Sequence, residues 1–175
     1  MLSRNTNTKE MLKNALITLL SKSSFEDISV RELTSIAHLN RSTFYLHYSD
    51  KYDMANSFKN EILDDFETIC MANNHSPEKI SRAILTYLKN DSDFFYTVLQ
   101  IPCINFSQIL KSLVLKYCIN TKNVKILISQ KYNLPENYAI EVQLASIERI
   151  LSIWINNKCR DSVDIVTGYI LKILI

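Results

Sequence analysis

The sequence predicts an all-α protein of about nine helices, an N-terminal three-helix unit followed by a larger helical body. Three observations carry this expectation. The 175 residues include one glycine, Gly168, and three prolines, so the turns that hairpins need are scarce, and Gly-rich phosphate loops and dinucleotide fingerprints are excluded. Apolar residues recur at i, i+3, i+4 and i+7 along most of the chain. Hydrophobic residues make up 47%, enough for a real core in a chain of one or two small domains.

In order along the chain, residues 1–6 are polar and read either as a frayed end or as a reaching arm. Asn7 with Glu10 resembles a capping box opening the first helix, whose apolar stripe is Leu12, Ala15, Leu16, Leu19 and Leu20. It ends at Ser21–Ser24, where Phe25 and Ile28 are placed to seal it. Ser29 is an N-cap in front of Val30, Leu33, Ile36 and Ala37. Asn40 restarts a helix with Phe44 and Tyr48 as its buried i, i+4 edge. Ser49 or Asp50 caps a long fourth helix, about Lys51 to Met71, with Met54, Ala55, Phe58, Ile62, Phe66 and Ile69 inward. Asn73-Asn74-His75-Ser76 breaks it, and Pro77 suits the next helix start. Then come Ile80, Ile84, Leu85 and Leu88, a short aromatic helix from Phe94 stopped near Pro102, and an apolar helix Phe106 to Ile119. Val124 to Tyr132 is a further helix or a continuation of that one. Glu136 to about Lys158 is apolar on more than one side, and Asp161 with Asp164 starts the last helix.

The stretch Ser29 to Lys51, SVRELTSIAHLNRSTFYLHYSDK, carries the functional signal. It reads as a helix-turn-helix with a third helix starting at its end. At about 100° per residue, the side of the second helix away from Phe44 and Tyr48 holds Ser42, Thr43, Tyr45 and Leu46, flanked by Arg41 and His47. Arg forks onto guanine, Ser and Thr reach base edges or phosphates, and a Tyr ring meets a thymine methyl or donates to a phosphate. The next helix start, Ser49-Asp50-Lys51, offers backbone N–H groups and a Lys to phosphate. The alternative is a small packing unit with an ordinary polar surface. Charge does not decide between them: the net charge is +2, and residues 1–51 hold all of the excess, seven Lys and Arg against five Asp and Glu.

The run V-R-E-L-T-S-I-A-x-L-N-R-S-T-F-Y-L-H-Y-S-D-K resembles the DNA-binding signature of the tetracycline-repressor (TetR) family of bacterial transcriptional regulators, over roughly residues 8–60. The resemblance implies DNA contact by Ser29, Arg31, Arg41, Ser42, Thr43, Tyr45, His47 and Lys51, with a DNA-binding domain over residues 1–50 and an effector-binding and dimerisation domain over 51–175. One position departs from the family: His38 stands where the turn usually has Gly, in a left-handed conformation that His tolerates better than most residues.

The last two helices have excess apolar circumference, which a matching pair from a second subunit would cover in a four-helix bundle. The alternative is that they are simply the chain's own core. The apolar lines of these helices make Leu144, Ile147, Leu151, Trp154, Val166, Gly168 and Ile170 the interface candidates; the resemblance adds that the family generally dimerises there, with Trp154 and Gly168 loosely resembling family landmarks. Gly168 costs a helix about 1 kcal/mol relative to Ala, which close helix approach would justify. The body is rich in aromatics, and Phe66, Cys70, Tyr87, Phe95, Phe106 and Tyr117 are candidates for a small apolar or aromatic effector's pocket, with ordinary core as the alternative.

The expected function is therefore a homodimeric regulator, a repressor, binding a palindromic operator in double-stranded DNA and changing affinity with an effector. A coactivator or adaptor of the same fold, acting through a protein partner, is the alternative. An enzyme is disfavoured: the sequence holds no metal cluster, nucleophile–base arrangement or phosphate loop, and no cofactor or metal is called for. Cys70, Cys103, Cys118 and Cys159 are far apart, as buried thiols of a reducing compartment would be. No secretion signal or membrane span is apparent, so a cytoplasmic location without a membrane partner is expected.

Overall fold

The computed structural model describes residues 3–73, 76–119 and 122–174, and side chains from Asn7 onward. Within them are ten helices and no strand: α1 (Ser3–Leu20), α2 (Val30–Ile36), α3 (Arg41–Tyr45), α4 (Lys51–Ala72), α5 (Pro77–Asn90), α6 (Ser92–Val98), α7 (Phe106–Tyr117), α8 (Lys122–Tyr132), α9 (Glu136–Asn156) and α10 (Val163–Leu174). The tenth arises because Lys122–Tyr132 is separate from α7. Asn74 and His75, expected in the break after α4, lie outside the described residues.

The chain packs as two compact units. One comprises Met1–Glu61 with Asp93–Asn105, the other Ile62–Ser92 with Phe106–Ile175. This division of packing falls inside α4, a different matter from the division of roles expected at residues 50 and 51.

In the first unit, α1 buries Leu12, Ala15, Leu16 and Leu20 together with Phe25, Ile28, Leu33, Phe44, Met54, Ala55 and Phe58. From α6, Phe94 meets Phe58 edge-on at 5.6 Å between centroids, while the Lys13 ammonium lies 4.2 Å from the Phe94 centroid. Helix α1 begins four residues before Asn7, so the capping box expected at Asn7 and Glu10 does not form. The expected stripe of α2 also turns slightly: Leu33, Thr34 and Ala37 are buried and Ile36 is exposed. Thr34 can be buried because its hydroxyl donates to the carbonyls of Val30 (2.9 Å) and Arg31 (3.1 Å).

In the second unit, α10 packs on α5 and α9, and α9 also packs on α7 and α8. Gln143 of α9, wholly buried, accepts from the Tyr132 hydroxyl at 2.9 Å and donates to the Ile173 carbonyl at 2.6 Å. It joins α8, α9 and α10 through one satisfied amide. The last helix is capped by Ser162 rather than Asp161: the Ser162 hydroxyl accepts from the Ile165 N–H at 3.3 Å. The Asp161 carbonyl instead accepts from Trp154 Nε1 and the Lys89 ammonium.

A chain with one glycine must end its helices by other means. His38, Asn133 and Lys158 take positive φ of 53°, 52° and 55°. Each is the left-handed residue of a paired closure: His38 N–H reaches the Ser35 carbonyl and Leu39 N–H the Thr34 carbonyl, with the same pattern at Asn133–Leu134 and at Lys158–Cys159. The left-handed turn expected at His38 is therefore present, with a β-carbon where glycine would be unstrained.

Candidate nucleic-acid interface

The site is set up by α2, which presents α3. The Ser29 hydroxyl accepts from the Glu32 N–H at 3.2 Å, and Ser29 N–H and O–H donate to the Glu32 carboxylate at 2.9 and 2.7 Å, a complete capping box. The hydrogen bonds from Ser29 hold the Glu32 carboxyl below its usual range. After the turn at His38, Phe44 and Tyr48 bury one edge of α3, their rings 5.6 Å apart. The opposite edge is bare. Arg31, Arg41, Ser42, Tyr45, Leu46 and His47 are exposed and Thr43 is half-buried. Arg41 Nη2 donates to the Tyr45 hydroxyl at 3.4 Å, with the guanidinium 5.9 Å from the ring centroid. Five of the eight residues singled out for DNA, Arg41, Ser42, Thr43, Tyr45 and His47, thus come together on and just past α3, and Arg31 and Ser29 sit on α2 and its cap.

Lys51 does not join them in this structure. Its ammonium donates to the carbonyls of Phe25 (2.8 Å), Glu26 (2.7 Å) and Ile28 (2.9 Å). An ammonium has three N–H donors, and these three bonds engage all of them. The start of α4 is also engaged within the chain. Asp50 Oδ1 accepts from the N–H groups of Tyr52 and Asp53, each at 2.8 Å, and Asp53 accepts from Ser49 N–H and O–H. Carboxylates already occupy the positive end of that helix. Tyr52 adds a bond from its hydroxyl to Glu26 at 2.7 Å and an edge contact to Phe25, so the segment 25–28 is bound to α4 from several sides.

The residues expected at a subunit interface divide differently from the expectation. Leu144, Ile147, Leu151, Trp154, Val166 and Ile170 are buried in the chain's own second unit. They are its core, and the face left over on α9 and α10 is another one: Tyr138, Val142, Ile153, Ile165 and Tyr169 are exposed. Gly168 does not serve a close approach within the chain, since a β-carbon there would meet no heavy atom within 4 Å.

Of the six pocket candidates, Cys70 and Tyr117 line an apolar cavity of about 40 Å3 walled by α4, α5, α7, α9 and α10, among them Ile80, Ile84, Leu110, Leu113, Leu151 and Ile170. Cys118 lies in the same wall, and burial pushes both thiols up to about 11. A more open cleft of about 360 Å3 by Ser76, Pro77 and Glu78 shares Cys118 and Leu174 with it. Phe66, Tyr87 and Phe106 are elsewhere in the second unit, as an edge-to-face cluster, with the Tyr87 hydroxyl bonded to Asp65 at 2.6 Å. Phe95 belongs to the first unit. Sequence reasoning missed most of the cavity wall, because it weighted aromatics and the wall is aliphatic.

No family model matches the sequence, and neither does any curated protein. Solved structures do match. A TetR transcriptional regulator from Streptococcus agalactiae superposes with a TM-score of 0.68 at 20% identity, covering 97% of this chain and 94% of that one. The fatty acid degradation regulator FadR from Bacillus halodurans gives 0.66 at 13% identity, covering 95% and 94%. The chain has the TetR-regulator fold. The dihydroxyacetone kinase operon activator DhaS, with a TM-score of 0.60 and 17% identity over 95% and 93% of the two chains, shares that TetR fold too. Among the described residues, no three His, Cys, Asp or Glu side chains stand together as metal ligands, and no helix is long and apolar enough to cross a membrane.

Proposed function

We propose that this chain is a TetR-family transcriptional regulator that binds a palindromic operator as a homodimer. The observation that carries the reading is the bare edge of α3: Arg41, Ser42, Thr43 and Tyr45 present base-reading chemistry outward, while Phe44 and Tyr48 fix the helix from behind. A five-residue helix reads few bases, so specificity requires two copies, about 34–36 Å apart on the duplex. The exposed Ile153, Ile165 and Tyr169 give the second copy an apolar surface to cover. Arg41 reads bases, Ser42, Thr43 and Tyr45 assist, and His47, Arg31 and the α2 cap at Ser29 approach the backbone.

Regulation runs through the second unit. The cavity suits an apolar or aromatic effector, and at about 40 Å3 it is far below the 300–1,000 Å3 of occupied ligand sites. Binding therefore separates the walls. Because α4 contributes Cys70 to the wall and Met54 and Phe58 to the first unit's core, an effector that favours the expanded cavity biases the DNA-reading unit through that helix. Repression is the default sign. DhaS, described as an operon activator, keeps activation, through a protein partner, as the second reading.

Selection of bound fragments from random DNA with the full chain, followed by sequencing, tests the reading. Two inverted half-sites are expected. In sedimentation, Ile165→Glu should shift the wild-type dimer to monomer at the same concentration. Failure to enrich any sequence would overturn the DNA assignment, and a wild-type monomer would overturn the symmetric one.

A further inference from the structure

The Leu46 side chain is the most exposed large apolar one among the described residues. It is 81% exposed, against 49% for Tyr45 and 39% for Ile36. At about 100° per residue, the midpoint of the buried pair Phe44 and Tyr48 lies about 180° from Leu46 on the helix surface. Leu46 is thus the outermost point of the turn that closes α3, still with right-handed helical angles (φ −72°, ψ −20°). Ser42, one turn earlier, shares its ridge, and Thr43 lies next to it on the other side. A surface that α3 meets through Ser42 and Thr43 meets Leu46 between them.

Resting on the regulator reading above, we infer that Leu46 is a base-reading residue that recognises a thymine by its 5-methyl group. In the major groove the methyl is the one apolar feature a base pair displays, and aliphatic contact with it distinguishes T·A from the other pairs. Leucine has no donor or acceptor for a phosphate or a base edge. Against water it gains only by covering apolar surface, and the thymine methyl is what the groove offers. Each half-site then contains a thymine whose methyl group, rather than its hydrogen-bonding edge, carries the preference.

Replacing thymine by uracil deletes that methyl and leaves pairing and groove donors unchanged. The probes are operator duplexes selected by the full-length protein, made with thymine or with uracil at each thymine position in turn. Wild-type protein should bind the duplex with uracil at one symmetric pair of positions about fourfold less tightly per half-site contact, the effect of about one buried methyl. Leu46→Ala, at an exposed site where folding is not at risk, should bind both forms equally. If the wild type shows no thymine preference at any position, or if the preference persists in Leu46→Ala, the assignment of Leu46 is overturned while operator binding stands. If the wild type selects no duplex at all, the regulator reading falls, and this assignment with it.

Discussion

Two places in the first unit carry the side chains that DNA attracts, the bare edge of α3 and the start of α4, and the structure treats them in opposite ways. At α3, the inward edge is apolar and closed, and Arg41, Ser42 and Tyr45 face out. At α4, Lys51 is bonded to three carbonyls of the segment 25–28 and Asp50 and Asp53 close the helix end. A lysine and a helix N-terminus are the ingredients of a phosphate site, yet here the same chain has already used them. What decides whether a polar residue faces a ligand is whether its donors are already engaged.

Lys51→Met should have the largest effect. If the ammonium ties segment 25–28 to α4, the full chain loses about 3 kcal/mol in urea unfolding, charge-assisted bonds being worth about 1.5–3 each before solvent replaces part of them. The salt dependence of DNA binding by the remaining folded protein stays as in the wild type. A salt slope reduced by about 1 with unchanged stability would return Lys51 to the phosphates.

Arg41→Ala probes the other side. Loss of about 1–3 kcal/mol on the selected operator is expected, with little change on random duplex and in unfolding. Equal losses on both DNAs would make Arg41 a backbone contact.

The same inward and outward contrast recurs on α10, where Val166 and Ile170 are core and Ile165 and Tyr169 are bare. Gly168→Ala sharpens it. The added methyl meets open space within the chain, so unfolding of the monomer should gain about 1 kcal/mol from helix propensity. Should a partner helix approach Gly168, the dimer dissociation constant measured by sedimentation rises instead of staying level.

The smallest effect is at the turn. His38→Gly relieves a left-handed residue at φ 53° and should stabilise the chain by about 0.5–1 kcal/mol in the same urea titration. Destabilisation would mean that the His38 side chain makes a contact that outweighs its backbone strain.

Much of this was legible before any coordinates. The N-cap at Ser29 and the Phe44–Tyr48 edge, four residues apart, follow from local geometry alone; the capping box expected at Asn7 and Glu10 forms instead at Ser29 and Glu32. The left-handed turn at His38 follows from the short gap between the two helices. The α10 start was misplaced at Asp161 because Ser162, the next residue, also caps well. The cavity was mostly illegible, since its wall draws on five separate helices. The outward face of α9 and α10 is hard to read for a related reason: on helices apolar around much of their circumference, periodicity gives the lines but not which line the neighbours cover.

By itself the sequence determined the helical class, most helix ends and the outward direction of the α3 side chains, because those depend on contacts within a few residues. Only the tertiary structure decided that Lys51 bonds to the segment 25–28, that Leu144, Ile147, Leu151, Trp154, Val166 and Ile170 form core, and that Tyr138, Val142, Ile153, Ile165 and Tyr169 stay bare. Those outcomes depend on which distant groups arrive first at a donor or an apolar face: the Lys51 partners are 23 to 26 residues away in the chain, beyond the reach of any local pattern.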